Sequence, residues 1–129
     1  MNSLSDYLVV FVGAGIGGVL RHAANRTGLV LLGTEFPWST LFVNITGCLM
    51  IGLIAGWFAF RAIGSEHPLR LFFITGILGG YTTFSAFSLD TALLWERGEF
   101  WLATLYVISS VAVALIGVFV GLSITRSLL

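Results

Sequence analysis

Hydrophobic residues in this chain come in long blocks separated by short polar breaks. The first block runs from about Tyr7 to Leu20 and continues more weakly past Arg21 and His22 toward Leu32, until Glu35, Phe36 and Pro37 interrupt it. The second, Trp38 to Phe60, carries no charge from end to end. After a polar connector from Arg61 to Pro68, a third block extends from Leu69 to Leu94 and is interrupted at Gly79-Gly80-Tyr81-Thr82-Thr83. A short linker, Trp95 to Glu99, holds Glu96, Arg97 and Glu99; the fourth block then runs from Phe100 to about Ile124, with Arg126 at its exit. A membrane-crossing helix needs ~20 mostly apolar residues. The pattern therefore predicts an all-α integral membrane protein: four transmembrane helices in one domain over 1–129, the third broken near its middle. Tyr7, Trp38, Trp57, Trp95 and Trp101 fall near block ends, where amphipathic rings settle at the headgroup level.

Composition narrows the classes further. The 129 residues are 57% hydrophobic and 9% charged, against about 25% charged in a soluble domain. Net charge is zero and the six basic residues, all Arg, are scattered singly, so no basic cluster invites nucleic acid. The single cysteine, Cys48, has no intrachain disulfide partner, and no Cys/His set has metal-ligand spacing. Ahead of the first block stands Asp6 and no basic side chain, so that block reads as a retained helix rather than a cleaved leader. Cytoplasmic loops normally carry the Arg excess. Here four crossings put Arg61, Arg70 and Arg126 on one side and Arg21, Arg26 and Arg97 on the other. A chain without an orientation signal can insert both ways, and two opposed copies can then pair about a twofold axis in the membrane plane. An antiparallel homodimer is one expectation; a small-number accident is the plain alternative.

Each block contains a Gly-x-x-x-Gly pair: Gly13/Gly17, Gly52/Gly56, Gly76/Gly80 and Gly117/Gly121. Such pairs let membrane helices approach backbone to backbone, although glycine is also simply common in membrane helices. Gly13-Ala-Gly15-Ile-Gly17-Gly18 matches the G-x-G-x-x-G dinucleotide fingerprint, with Glu35 at a plausible distance for a ribose-binding acid. The uninterrupted apolar block that follows excludes the alternating strands and helices such a fold requires.

Polar residues inside hydrocarbon are expensive unless satisfied, so their clustering marks function. The richest cluster is Gly79 to Ser88. Unwinding there leaves carbonyls at the end of one half-helix, suited to a cation, and N–H groups at the start of the next, suited to an anion. A structural kink repaired by Thr and Ser hydroxyls is the simpler reading. Phe84 and Phe87 share a face, as do Ser85 and Ser88; aromatic pairs usually just pack, yet ring edges are the positive end of the quadrupole and can face an anion. Asn44, on a stripe with Thr40 and Gly47, can donate two hydrogen bonds to an anion or join two helices. Tyr106 and Ser110, one turn apart, add a short polar track to the fourth block, followed on the same face by the smooth Ala114, Gly117 and Gly121. Arg21 and Asp90 are intramembrane candidates or interfacial anchors. Cys48 reads as a small core residue, and His22 and His67 as loop residues at block ends.

Gly17-Gly18-Val19-Leu20-Arg21, Phe42-Val43-Asn44-Ile45-Thr46-Gly47 and, above all, Gly76 to Ser88 resemble the bacterial Fluc family of fluoride channels. The likeness spans the chain. It implies a passive channel that exports fluoride across the bacterial inner membrane, built as a dual-topology antiparallel homodimer with two pores and a central structural Na+. By motif position Phe84 and Phe87 resemble the pore phenylalanines and Asn44 the donor asparagine. Thr83, Ser85, Tyr106 and Ser110 correspond to polar pore positions, Arg21 to the vestibule arginine, and the Gly79 and Thr82 carbonyls to the sodium ligands. Two departures stand out: Ala114 where a serine is expected, and Asp90 where a glutamate is expected. A proton-coupled small multidrug exporter would need a carboxylate in the early helices, and no acid lies between Tyr7 and Val30 or between Trp38 and Phe60. A non-conducting assembly subunit, with the polar cluster as helix glue, is the third class. An enzyme is disfavoured, since no nucleophile has a base beside it in the pattern and no carboxylates pair within one segment.

Overall fold

A computed structural model describes residues 3–128, and every regular element among them is helical. In order these are α1 (Leu4–Leu32), α2 (Trp38–Phe60), α3 (Pro68–Arg70), a π-helical stretch (Leu71–Leu78), α4 (Gly79–Tyr81), α5 (Phe84–Glu96) and α6 (Phe100–Leu128). Four segments are long and apolar enough to cross a membrane: Leu4–Leu32, Trp38–Phe60, Pro68–Glu96 and Phe100–Leu128.

Local chemistry sets the ends. Asp6 Oδ2 accepts from Ser3 N at 3.2 Å where α1 begins. α1 stops at Gly33, whose φ of 75° is a conformation that L side chains resist and glycine adopts freely; its N–H closes onto Leu29 O at 3.2 Å. Pro68 starts α3 where a missing N–H does no harm, and His67 Nδ1 accepts from Leu69 N at 3.3 Å. Gly98, at φ 77°, makes the tight turn from α5 to α6.

Two expectations change, the extent of α1 and the end of α6, and one exclusion is met. α1 runs unbroken through the weaker stretch, so His22 lies inside a helix and faces outward rather than sitting in a loop. The glycine fingerprint is likewise wholly helical, with no strand before it. α6 continues past Ile124 and takes Arg126 into its last turn, where a cation meets the negative end of the helix dipole.

The helices pack as two parallel pairs. A methyl group added to Gly13 would lie 2.7 Å from Phe72 O, one on Gly17 would strike Ile77 O, and one on Gly80 would strike Ala14 O. Contacts advance together along both segments, so α1 and the Pro68–Tyr81 stretch run in the same direction. Gly52 meets Val118 and Gly121, and Gly56 meets Thr125, so α2 and α6 are parallel too. Thr125 reinforces this seam by donating to Leu53 O at 3.1 Å. Where lipid removes the hydrophobic drive, such backbone approach is the main source of cohesion. The buried core is accordingly small, with Val43, Phe58, Leu94 and Tyr106 as its fully enclosed side chains, while Phe11 and Phe119 point outward. The wider π-helical turns lie along the α1 contact.

Candidate functional site

Thr82 and Thr83, between α4 and α5, have extended backbones, with ψ of 159° and 119°. In a continuous helix Thr83 N would bond to Gly79 O; instead it donates to Asn44 Oδ1 at 2.7 Å. Asn44 Nδ2 returns the bond to Thr83 O at 2.9 Å. This reciprocal pair holds the joint to α2, and it leaves one of the two Asn44 amide hydrogens free. Thr83 Oγ1 accepts from Ala86 N at 3.1 Å and so caps the start of α5. Gly47 permits the approach, since a methyl there would strike the Thr82 side chain.

Beside the joint lies a cavity of about 310 Å³. Asn44, Thr83, Phe84, Phe87, Ser110 and Cys48 are among the residues that line it, and none of its lining side chains is charged. Ser110 is buried, at 6% exposure, and its Oγ has no partner. Phe84 and Phe87 are tilted at 47° with centroids 5.4 Å apart; Phe84 itself is 78% exposed. The N-terminus of α5, the positive end of a 13-residue helix, begins at the same place.

Behind Phe87 stands Tyr106, ring centroids 5.3 Å apart. Its hydroxyl donates to Asp90 Oδ2 at 3.1 Å. Asp90 in turn borders a second cavity, of about 470 Å³, shared with Asn25, Thr40, Phe36 and Arg97. Phe87, Tyr106 and Asp90 thus link the two spaces.

Of the residues singled out from sequence, Asn44, Thr82, Thr83, Phe84, Phe87 and Ser110 come together on one cavity, with Tyr106 immediately behind. Ser85 does not line it: the side chain is exposed and its Oγ lies 3.3 Å from Thr83 Oγ1. Arg21 approaches from α1 and donates to Thr82 O at 3.3 Å. The Gly79 carbonyl, released by the turn of Thr83 N, suits a cation, whereas the Thr82 carbonyl already faces the Arg21 guanidinium. Cys48 is half-buried on the cavity wall rather than a core residue. Its position one turn from Asn44 is the sequence signal that would have placed it there.

Residues 8–122 match the family model described as "CrcB-like protein, Camphor Resistance (CrcB)". The chain belongs to the CrcB family. Among its CrcB relatives, a protein of Rhodopseudomonas palustris (strain BisB5) named "Fluoride-specific ion channel FluC" is 57% identical over 122 residues, 95% of this chain and 98% of the relative. A Nitrobacter hamburgensis protein, "Fluoride-specific ion channel FluC 2", is 55% identical over 123 residues, 95% of this chain and 98% of the relative. One from Beijerinckia indica, with the same FluC name, is 54% identical over 127 residues, 97% and 99% of the two chains. CrcB relatives of full length therefore carry a channel name rather than an enzyme name.

Proposed function

We propose that this chain is a fluoride-selective passive channel of the inner membrane, and that fluoride crosses by way of the cavity between α2, α5 and α6. The observation that carries this reading is the cavity's chemistry. A spare Asn44 amide hydrogen, the unpartnered Ser110 hydroxyl and two phenylalanine rings border one uncharged space. Fluoride is small and strongly hydrated, so a pore must replace water with donors. A full positive charge would hold the ion too tightly, because conduction requires weak binding at several sites. Neutral donors and ring edges meet both conditions. The names of the FluC relatives supply the identity of the anion. Hydrofluoric acid enters an acid-exposed cell as the neutral molecule and dissociates inside, so the anion leaves down its own gradient and no coupled ion is needed.

The finer architecture belongs to the same proposal. Two oppositely inserted copies would form the conducting unit, with one path per copy. Two features support pairing: the even division of arginines across the membrane, and the exposure of Phe84, which leaves one wall of the path for a second copy to complete. A structural Na+ would sit between the copies on the Gly79 and Thr82 carbonyls of each, tying the two joints together. The released Gly79 carbonyl supports that placement; at Thr82 the ion would take over from Arg21, which then faces the mouth of the path.

The test is fluoride release from liposomes holding the purified protein, followed with a fluoride electrode, beside chloride release from matched vesicles. Rapid fluoride release without chloride release is expected. A folded, sodium-supplied protein that releases no fluoride would sink the proposal.

A further inference from the structure

Cys48 and Ala114 share the wall of the cavity that holds Asn44 and Ser110. Asn44 and Cys48 lie one turn apart on α2, and Ser110 and Ala114 one turn apart on α6. The two helices run parallel in contact, so a pair from each faces the same space. On α6 the polar character stops with Ser110, because Ala114 offers no donor. On α2 it does not stop, because one turn beyond Asn44 stands a thiol. The unpartnered hydroxyl of Ser110, more than nine-tenths buried, marks this space as one built to take a hydrogen-bonding occupant.

We propose that the Cys48 thiol is a wall group of the ion path, supplying the weak donor that Ala114 lacks, and that it makes the path a site of attack for small thiol-reactive electrophiles. The inference rests on the cavity being the path proposed above. An S–H group is a weaker donor than a hydroxyl, which suits a site that must release its ion. A thiol in contact with water in the path also forms the thiolate that reacts with electrophiles. A thiol buried in a core or facing lipid does neither. Since Cys48 is the chain's one cysteine, modification has a single address.

The probe is a small, water-soluble methanethiosulfonate applied to the protein in liposomes. The Cys48 thiolate attacks the sulfenyl sulfur of the reagent, a new S–S bond forms as the S–S bond to the sulfinate breaks, methanesulfinate leaves, and the thiol proton passes to buffer. Labelling is read by intact mass, and fluoride flux is read on the same vesicles. The expected result has three parts: Cys48 labels, fluoride slows labelling severalfold relative to chloride at equal ionic strength, and full labelling removes most of the flux. The Cys48→Ala variant gives no mass shift, and the flux it retains is insensitive to the reagent. Cys48→Ala with Ala114→Cys moves the thiol to the opposite wall and restores both labelling and block. If Cys48 stays unlabelled while the cysteine at 114 reacts, or if Cys48 labels at a rate blind to fluoride and full labelling leaves flux unchanged, the inference is overturned. If neither Cys48 nor the thiol placed at 114 reacts, the inference is overturned as well, because the cavity is then dry. Absence of fluoride flux from unmodified protein is a separate outcome that removes the channel reading, while mass labelling with fluoride protection still reports whether the thiol lines an anion-occupied space.

Discussion

The seams between parallel helices and the cavity beside the joint are made of different material. Along α1 and its partner stretch, and along α2 and α6, glycines bring backbones so close that a single methyl would meet a carbonyl oxygen. At the cavity, the same α2 and α6 draw on Asn44, Cys48, Ser110 and Ala114, and together with Phe84 and Phe87 they leave about 310 Å³ open. The seams are closed; the cavity is open. One helix contributes to both by changing the face and level at which its glycines and its polar groups appear, so close packing and open space separate by position rather than by element.

The sharpest way to break that division is to put bulk into a seam. Gly17→Ala places a methyl against Ile77 O, whereas Gly15→Ala, two residues away, meets nothing within 4 Å. Overpacking of this kind costs about 1–3 kcal/mol. Gly17→Ala should lower the thermal unfolding midpoint and the yield of monodisperse protein, with flux lost in proportion. Gly15→Ala should behave like wild type. Equal effects of the two would mean that the seam is not what holds the bundle.

Next in size is the aromatic wall of the cavity. Phe84 is largely exposed, and Phe87 touches Tyr106. Replacing both with isoleucine should abolish nearly all fluoride flux while lowering the unfolding midpoint less than Gly17→Ala does, the cost being the lost Phe87 contact with Tyr106. A fall in stability as large as that of Gly17→Ala, with flux per folded protein unchanged, would return the two rings to the packing class.

Asn44 belongs to both regions, which makes its variant the intermediate case. Asn44→Ala strands Thr83 N and Thr83 O, both now paired with the side chain. Leaving a buried backbone group unpaired costs about 1–3 kcal/mol. The variant should therefore lose measurable stability in denaturation and most of its flux together.

The four crossings were legible in the sequence because their signal is the length of apolar runs, which lipid imposes directly. The glycine pairs were legible as a device, but not which pair met which, since partner choice depends on register between distant segments. No composition signal marked the π-helical turns of Leu71–Leu78; they answer to the neighbouring helix. At the cavity, the structure sets Asn44, Phe84, Phe87 and Ser110 on one wall, while Ser85 stays off the lining with its Oγ turned to Thr83 Oγ1, and Thr83 takes the capping role. Cys48 was read as core because residue type favours burial. Its spacing from Asn44 carried more information than its type.

The smallest effect concerns Ser110, and it tests the division most finely. Ser109 and Ser110 are neighbours on α6 with opposite circumstances: Ser109 Oγ donates to Tyr106 O at 3.2 Å within the helix, whereas Ser110 Oγ is buried without a partner beside the cavity. A buried hydroxyl that bonds to nothing is a burden on the folded state, so its removal is neutral or slightly stabilising. Ser110→Ala should leave the unfolding midpoint unchanged or a little raised and lower fluoride flux severalfold. Ser109→Ala removes a satisfied intrahelical bond and should leave flux alone. If Ser110→Ala instead destabilised the protein with no change in flux per folded molecule, the hydroxyl would be part of the seam, and the boundary between cohesion and passage would have to be drawn one turn further along α6.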